Sequence, residues 1–256
     1  MPNRDAPEQD GPPNSMRAAQ TAMRPPLPKR FYAAAGVMAE GDAFRVVLDG
    51  RGVKTPARRP LCLPDADLAN AVAAEWDSQQ TVIDPALMPL TRLVNSAIDG
   101  VADNPAAVAE EIARYAGSDL LCYRAGEPRS LVERQAQAWD PILSWLREMF
   151  GLRFVLGEGV MFVAQPEATL ATFAALLPRQ PLTLAGLSSM TTLTGSALLA
   201  FGVWKGQVAG ETAWNAAHVD EEFQIAVWGE DEEAMARRDL RRREFDAAVR
   251  LLAQPD

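Results

Sequence analysis

Residues 180–204 read QPLTLAGLSSMTTLTGSALLAFGVW, and no side chain among them carries a charge. The stretch is long enough to cross a bilayer, so its reading decides between a membrane span and a buried core element. Seven hydroxyls interrupt it, at Thr183, Ser188, Ser189, Thr191, Thr192, Thr194 and Ser196. Gly186, Gly195 and Gly202 dilute it further. That mixture predicts a buried helix, or a pair of helices, with no membrane insertion.

The surrounding composition agrees. Of 256 residues, 48% are hydrophobic and 23% charged, which is the balance of a globular chain and not of a disordered one. The length allows one large domain or two small ones. Asp and Glu total 34 against 25 Lys and Arg, a net charge of -9. Such a balance argues against general nucleic-acid binding or attraction to anionic membranes. Cys62 and Cys122 are too few for a disulfide framework or a zinc site. With His218 as the single histidine, any mechanism that needs two imidazoles is excluded. The N-terminus lacks an apolar signal core and carries Asp5, Glu8 and Asp10, which points to an unexported protein of a reducing compartment.

Upstream of the uncharged stretch, residues 1–28 are proline-rich and poor in apolar side chains, and read as a disordered tail. Short strands are expected at Phe31–Val37, Phe44–Leu48, Val53–Thr55 and Leu61–Leu63, with turns at Gly41-Asp42 and Asp49-Gly50. Prolines 56, 60 and 64 bound the later ones, giving a β-meander. Asp65 or Asp67 caps a helix with Leu68, Val72 and Trp76 on one stripe. A further helix is expected from Thr91 to Val101, and another opens at Asn104-Pro105 with Val108, Ile112 and Tyr115 inward. Residues 128–150 read helical, with Asp140-Pro141 predicted to start a fresh segment. A strand pair is expected over Arg153–Val163, and helices from Pro166 onward. The predicted class is α+β: a small α/β domain over 29–103, then a mainly helical bundle over 104–256.

Downstream, Gly210–Trp228 reads as one helix that is apolar on two sides. Trp214, His218 and Trp228 cluster on one face, Phe223 and Val227 on the other. Glu221 falls inside the tryptophan face, with Gln224 at its margin, so its carboxylate needs an internal arginine or an interface. The next helix opens Glu230-Asp231-Glu232-Glu233 and continues with Arg237, Arg238, Arg241, Arg242 and Arg243. Acids at a helix N-terminus suit its dipole, and the i,i+4 spacings make this run a self-paired, solvated face over a stripe of Phe245, Val249 and Leu252.

No phosphate loop, dinucleotide fingerprint or nucleophile elbow is present, and no metal-ligand spacing occurs. His218 and Glu221 are three apart and can meet on one helix face, the only local hint of a carboxylate-dependent hydrolase. A histidine satisfied within the core is the plainer reading.

Several segments, taken in order, resemble a known family. They are Arg30-Phe31-Tyr32, Leu48-Asp49-Gly50-Arg51 with Lys54-Thr55-Pro56, and Glu75-Trp76 with Gln79. Met88-Pro89-Leu90-Thr91-Arg92-Leu93, Asp119-Leu120-Leu121-Cys122-Tyr123-Arg124, Arg134-Gln135 and Trp139-Asp140-Pro141 follow. Gly195-Ser196, Asp220-Glu221 with Gln224, and Trp228-Gly229-Glu230-Asp231 close the set. In this ordered pattern, spanning about residues 30–250, the chain resembles the ATP-twelve family of assembly chaperones of the F-type ATP synthase.

The resemblance implies binding of the free α subunit and shielding of the surface that β later covers. It implies no catalysis and no cofactor. It also implies a small α/β domain followed by a helical bundle, and an important acid in the C-terminal helices, for which Glu221, Glu230 and Asp231 are the candidates. Glu221, Gln224, Trp228, Glu230 and Asp231 are therefore the expected partner-binding residues, on a protein that is a monomer when free. The expected location is the bacterial cytoplasm, with eukaryotic relatives in the mitochondrial matrix. Arg92, Arg124 and Arg134 have Asp99, Asp119 and Asp140 as possible internal partners.

Overall fold

The Pro28 carbonyl accepts from the Ile83 N–H at 2.8 Å, and Lys29 bridges Val82, so the chain is pinned from this point on. A computed structural model describes residues 26–159 and 161–253. Residues 1–25 of the expected tail, Val160 of the expected strand pair and residues 254–256 lie outside the described residues.

Two strands, β1 (Ala35–Glu40) and β2 (Ala43–Leu48), form a hairpin in the register Ala35↔Leu48 to Glu40↔Ala43. Gly41 takes φ 61° in its turn. Asp49 and Gly50 both have positive φ, 48° and 75°, as a tight two-residue turn into β3 (Arg51–Gly52) requires. The last strand of this sheet, β4 (Cys62–Leu63), pairs with the start of β2. The first strand begins four residues later than its sequence predicts. Asp49 captures the N–H groups of Ala33 and Ala34 first, at 3.1 and 2.9 Å, and takes them out of the ladder. Val53–Thr55 bonds to its neighbours without becoming a strand, because its bridge partner at Lys54 is Pro60, which has no N–H.

Helix α1 (Ala66–Asp77) covers the sheet with Leu68, Ala69, Val72 and Ala73, and Asp65 caps it by accepting from the Leu68 N–H at 2.8 Å. Its Glu75 reaches onward and accepts from the N–H groups of Leu90 and Thr91, at 2.8 and 2.7 Å. A carboxylate from one helix thereby caps the next, α2 (Pro89–Asp99), whose own N-cap Met88 offers no side-chain acceptor. The third helix, α3 (Pro105–Tyr115), opens on Asn104 as expected. Both cysteines are free, and burial pushes the Cys122 thiol up to about 12.

Two expectations in the middle of the chain need correction. Helix α4 (Arg129–Phe150) runs unbroken through Pro141. An interior proline costs on the order of 3 kcal/mol. Buried side chains on both sides of it, Trp139, Ile142 and Leu146, hold the two halves in line, and the Trp139 indole donates to the Ala216 carbonyl at 2.7 Å. The strand pair over 153–163 does not form. Only β6 (Gly157–Glu158) appears, and it pairs in parallel with β5 (Tyr123–Arg124). Gln165 takes the place of a second partner, accepting from the Val155 N–H and donating to its carbonyl.

After α5 (Glu167–Leu176) the uncharged stretch folds as a helix pair, α6 (Pro181–Thr194) and α7 (Ala197–Trp204). Gly195, at φ 69°, ends the first, and Ser196 caps the second by accepting from the Leu199 N–H. No helix among the described residues is long and apolar enough to cross a membrane. Two short helices come next, α8 (Gly210–Ala217) and α9 (Val219–Trp228), and then the long α10 (Glu232–Leu252). The chain reads α+β: a small antiparallel sheet near the N-terminus, then helices. One continuous apolar core runs from Tyr32 to Leu252, and α2 joins it by packing on both α6 and α10.

Among the described residues Asp119 is the one acid fully inside this core. It accepts from the Ser196 hydroxyl at 2.7 Å and from the N–H groups of Leu198 and Leu121 at 3.0 and 3.1 Å. These bonds hold the N-terminus of α7 but do not offset the loss of solvent, which pushes the carboxyl up to about 6 from its usual 3.8. Between those values the folded chain binds the proton that the unfolded chain has released, so this group stabilises the fold at low pH. The benefit is lost as the pH rises through about 6. In urea titrations, wild type should therefore lose roughly 2 kcal/mol against Asp119→Asn between pH 4 and pH 7. A difference that stays constant over that interval would mean that Asp119 does not titrate there.

Candidate functional site

Helix α9, the next to last of the chain's helices, has no buried residue. Polar and cationic contacts hold it in place of a core. The Gln135 amide donates to Asp220 at 2.7 Å, and the Arg134 guanidinium lies 5.5 Å from the centre of the Phe223 ring. Two arginines of α10 reach back to it: Arg241 meets both oxygens of Glu221 at 3.2 Å, and Arg238 pairs with Glu222. A third, Arg242, pairs with Glu211 of α8 and covers the Trp214 ring at 5.3 Å. Sequence periodicity assigned this arginine run to pairs within its own helix. Glu233–Arg237 is such a pair, but Arg238, Arg241 and Arg242 tie three helices together.

The single helix expected over Gly210–Trp228 is broken at His218, whose φ of -114° and ψ of 19° leave the helical region. The break separates the tryptophans that one helix would have aligned. Trp214 is buried, whereas Trp228 is 85% exposed at the far end of α9, beside exposed Val227. Gly229 comes next at φ 90° and ψ 174°, a conformation open essentially only to glycine, and turns the chain toward α10. Asp231 caps α10 by accepting from the N–H groups of Ala234 and Glu233, and those two bonds hold its carboxyl below the usual range. Gln224 and Glu230 are exposed.

Of the five expected partner-binding residues, the structure gathers Trp228, Glu230 and Asp231 at this corner. Gln224 lies one turn back on α9. Glu221 lies further back, half-buried and paired with Arg241. The internal arginine is thus the partner that its position demanded. Val227, placed by periodicity on the second apolar face, is exposed beside Trp228, and the break at His218 is the signal that periodicity missed.

His218 is a packing residue. It is buried, its Nδ1 lies 2.7 Å from the Trp214 carbonyl, and its ring is 4.0 Å from the Trp214 ring. Desolvation lowers its pKa from the ordinary value. Its Nε2 is 3.8 Å from Glu221, beyond hydrogen-bond length, and that carboxylate is engaged by Arg241. No cluster of metal-ligating side chains occurs among the described residues. The arginines also depart from expectation. Arg124 does meet Asp140, at 2.8 Å, but Arg92 pairs with Glu244 of α10 and Arg134 takes Phe223. Asp99 accepts from the Thr55 hydroxyl and the Ala57 N–H instead.

Residues 29–147 match the family described as ATP12 chaperone protein. The mitochondrial protein atp12 of Schizosaccharomyces pombe is 23% identical over 243 residues, covering 88% of this chain and 84% of that one. Among solved structures, a protein of Agrobacterium tumefaciens assigned as a chaperone is 46% identical. The match covers 95% of this chain and 91% of that one, with a TM-score of 0.84. Atp12 of Paracoccus denitrificans is 39% identical, with 88% of this chain and 97% of that one covered and a TM-score of 0.79. An aspartate-to-lysine mutant of the Paracoccus protein matches equally well.

A helix fastened by exposed polar contacts should open locally at low cost. In Arg238→Ala/Arg241→Ala, amide exchange across α9 should quicken about tenfold while α6 keeps its protection. Equal acceleration in both helices would mean that the arginines support the whole fold.

Proposed function

The chain belongs to the ATP12 family of ATP synthase assembly chaperones, and from that premise we propose that its client is the free α subunit. It holds the surface of α that β will cover, and leaves when β arrives. Trp228 carries this reading: a large aromatic ring 85% in solvent, at a glycine corner beside exposed Val227. Exposed apolar groups set in a polar rim are the usual mark of an interaction site.

Glu230 and the acids that open α10 surround that ring with negative charge, so the complementary patch on α is apolar with a cationic rim. Trp228 is the anchor, Glu230 and Gln224 act at its margin, and Glu221 and Asp231 fix the backbone that presents it. A corner of this size gives a moderate affinity, which suits a client that must be handed on. The free chaperone acts as a monomer.

Co-purification of the tagged chain with separately expressed α and β subunits tests the proposal. A complex should form with α and not with β, and adding β should release α. Trp228→Ala should weaken binding of α at least about tenfold with an unchanged melting temperature. Glu230→Lys should slow association and reduce its dependence on salt. If α neither binds nor stays in solution, the client assignment fails. If α binds and Trp228→Ala changes nothing, the corner is not the contact.

A further inference from the structure

A second surface lies on the β-sheet half of the chain. Phe31, Tyr32, Trp76, Asp49, Arg51 and Lys54 line a groove of about 520 Å³. They come from three separate segments: the entry to the sheet, the stretch from the β2–β3 turn to Lys54, and the end of α1. The sequence pattern singled out all three, and the contacts at the α9–α10 corner leave them unused.

Some of these residues have structural work. The Tyr32 hydroxyl donates to the Trp76 carbonyl at 2.6 Å. Asp49 is the carboxylate among the lining residues, and it accepts from the N–H groups of Ala33 and Ala34. Three others have none. Phe31 is 75% exposed, touching Tyr32 edge-on with ring centres 5.4 Å apart. Arg51 and Lys54 are exposed, and neither makes an ion pair or side-chain hydrogen bond among the described residues. Trp76 also has an unmet donor: its indole N–H is shielded from solvent and has no hydrogen-bond partner among the described residues. Buried polar groups normally have one.

An aromatic wall beside two cations with no ion-pair partner defines one kind of ligand, and on a chain of net charge -9 it is these two local cations that would attract it. We propose that this groove binds an extended acidic segment of a partner protein, one large apolar side chain packing on Phe31, Tyr32 and Trp76 while flanking carboxylates meet Arg51 and Lys54. Charge complementarity selects the segment and aromatic contact holds it. The inference is independent of which subunit occupies the α9–α10 corner.

The probe is a blocked nonapeptide, Gly-Ser-Asp-Glu-Phe-Asp-Leu-Ser-Gly, titrated into the full chain by calorimetry. Binding is followed in parallel through the indole N–H resonance of Trp76, assigned with Trp76→Phe. Saturable binding that shifts this resonance is expected, and it should weaken from about 50 to about 300 mM salt. Arg51→Glu/Lys54→Glu should lower the affinity at least about tenfold, and Phe31→Ser about fivefold, with melting temperatures unchanged. The same peptide with lysine at its three acidic positions should not bind.

No binding up to about 1 mM peptide, equal binding of the lysine peptide, or indifference to all three substitutions would each overturn the proposal. Self-association that disappears in the double variant, without any peptide binding, would place a second copy in the groove and overturn it equally. Peptide binding that appears only after deletion of residues 1–25 would assign the groove to the chain's own N-terminal segment, with the same consequence.

Discussion

An uncharged helix pair cannot face water, and the covering of α6 and α7 sets the position of the remaining elements. Helices α2, α3 and α10 close over α6 from three directions. Helix α10 approaches most closely where α6 has Gly186: a Cβ there would come within 2.9 Å of the Leu252 side chain. Two hydroxyls of the pair that would be a liability in lipid are satisfied inside the protein, the Thr194 hydroxyl by the Met190 carbonyl and the Ser196 hydroxyl by Asp119, whereas the buried Thr191 hydroxyl has no partner among the described residues. The free N–H groups at the start of α7 need an acceptor, and the chain supplies a carboxylate with no water around it. Its raised pKa is the cost of ending one buried helix and starting another within two residues.

The same packing explains why the C-terminal corner is left bare. Only the second half of α10, from Phe245 onward, is buried. Its first half is exposed, and α9 meets the core only through partly buried side chains such as Val219. Charge does there what burial does elsewhere. Arginines at positions 238, 241 and 242 face acids of α8 and α9, and partly exposed pairs of this kind contribute about 0–1 kcal/mol each. The protein thus has a firm core and a weakly fastened edge, and the most exposed aromatic ring belongs to that edge. An interface on such a segment can adjust to its client without disturbing the core.

Local signals were readable without coordinates. Asp65 and Asn104 cap the helices that their sequences announce, and Gly195-Ser196 divides the uncharged stretch. Composition and hydroxyl content were enough to exclude a membrane span there. The features that stayed hidden depend on distant partners. Asp119 pairs with Ser196 across 77 positions, and no periodicity points from one to the other. Glu75 caps a helix that begins 14 residues later, which local rules assign to the capped helix itself. Pro141 misled because a local rule gives its cost and only tertiary packing can offset it. The five site residues were legible as a group and not in their roles, since pairing and exposure were fixed by a break at His218 that helical periodicity smooths over.

Trp228 and Phe31, the aromatic rings at the two proposed surfaces, differ in a way that bears on the partner each can recognise. In the proposed function Trp228 is highly exposed and followed in the chain by Glu230 and the acids that open α10, which calls for a partner with an apolar site and a cationic margin. The Phe31 groove is concave and cationic, so its partner must supply a protruding side chain with carboxylates beside it. Neither surface is complementary to a second copy of itself, which disfavours symmetric self-pairing through either one. Their local charges are opposite, so two copies avoid joining head to tail only if each surface prefers its own ligand. For a chaperone this preference matters more than raw affinity. Both surfaces are mounted on one continuous core, and a partner that engages both gains from the second contact without a further loss of translational freedom. A partner that engages only one dissociates at the rate of a small interface, which is the behaviour required where a client has to be passed on.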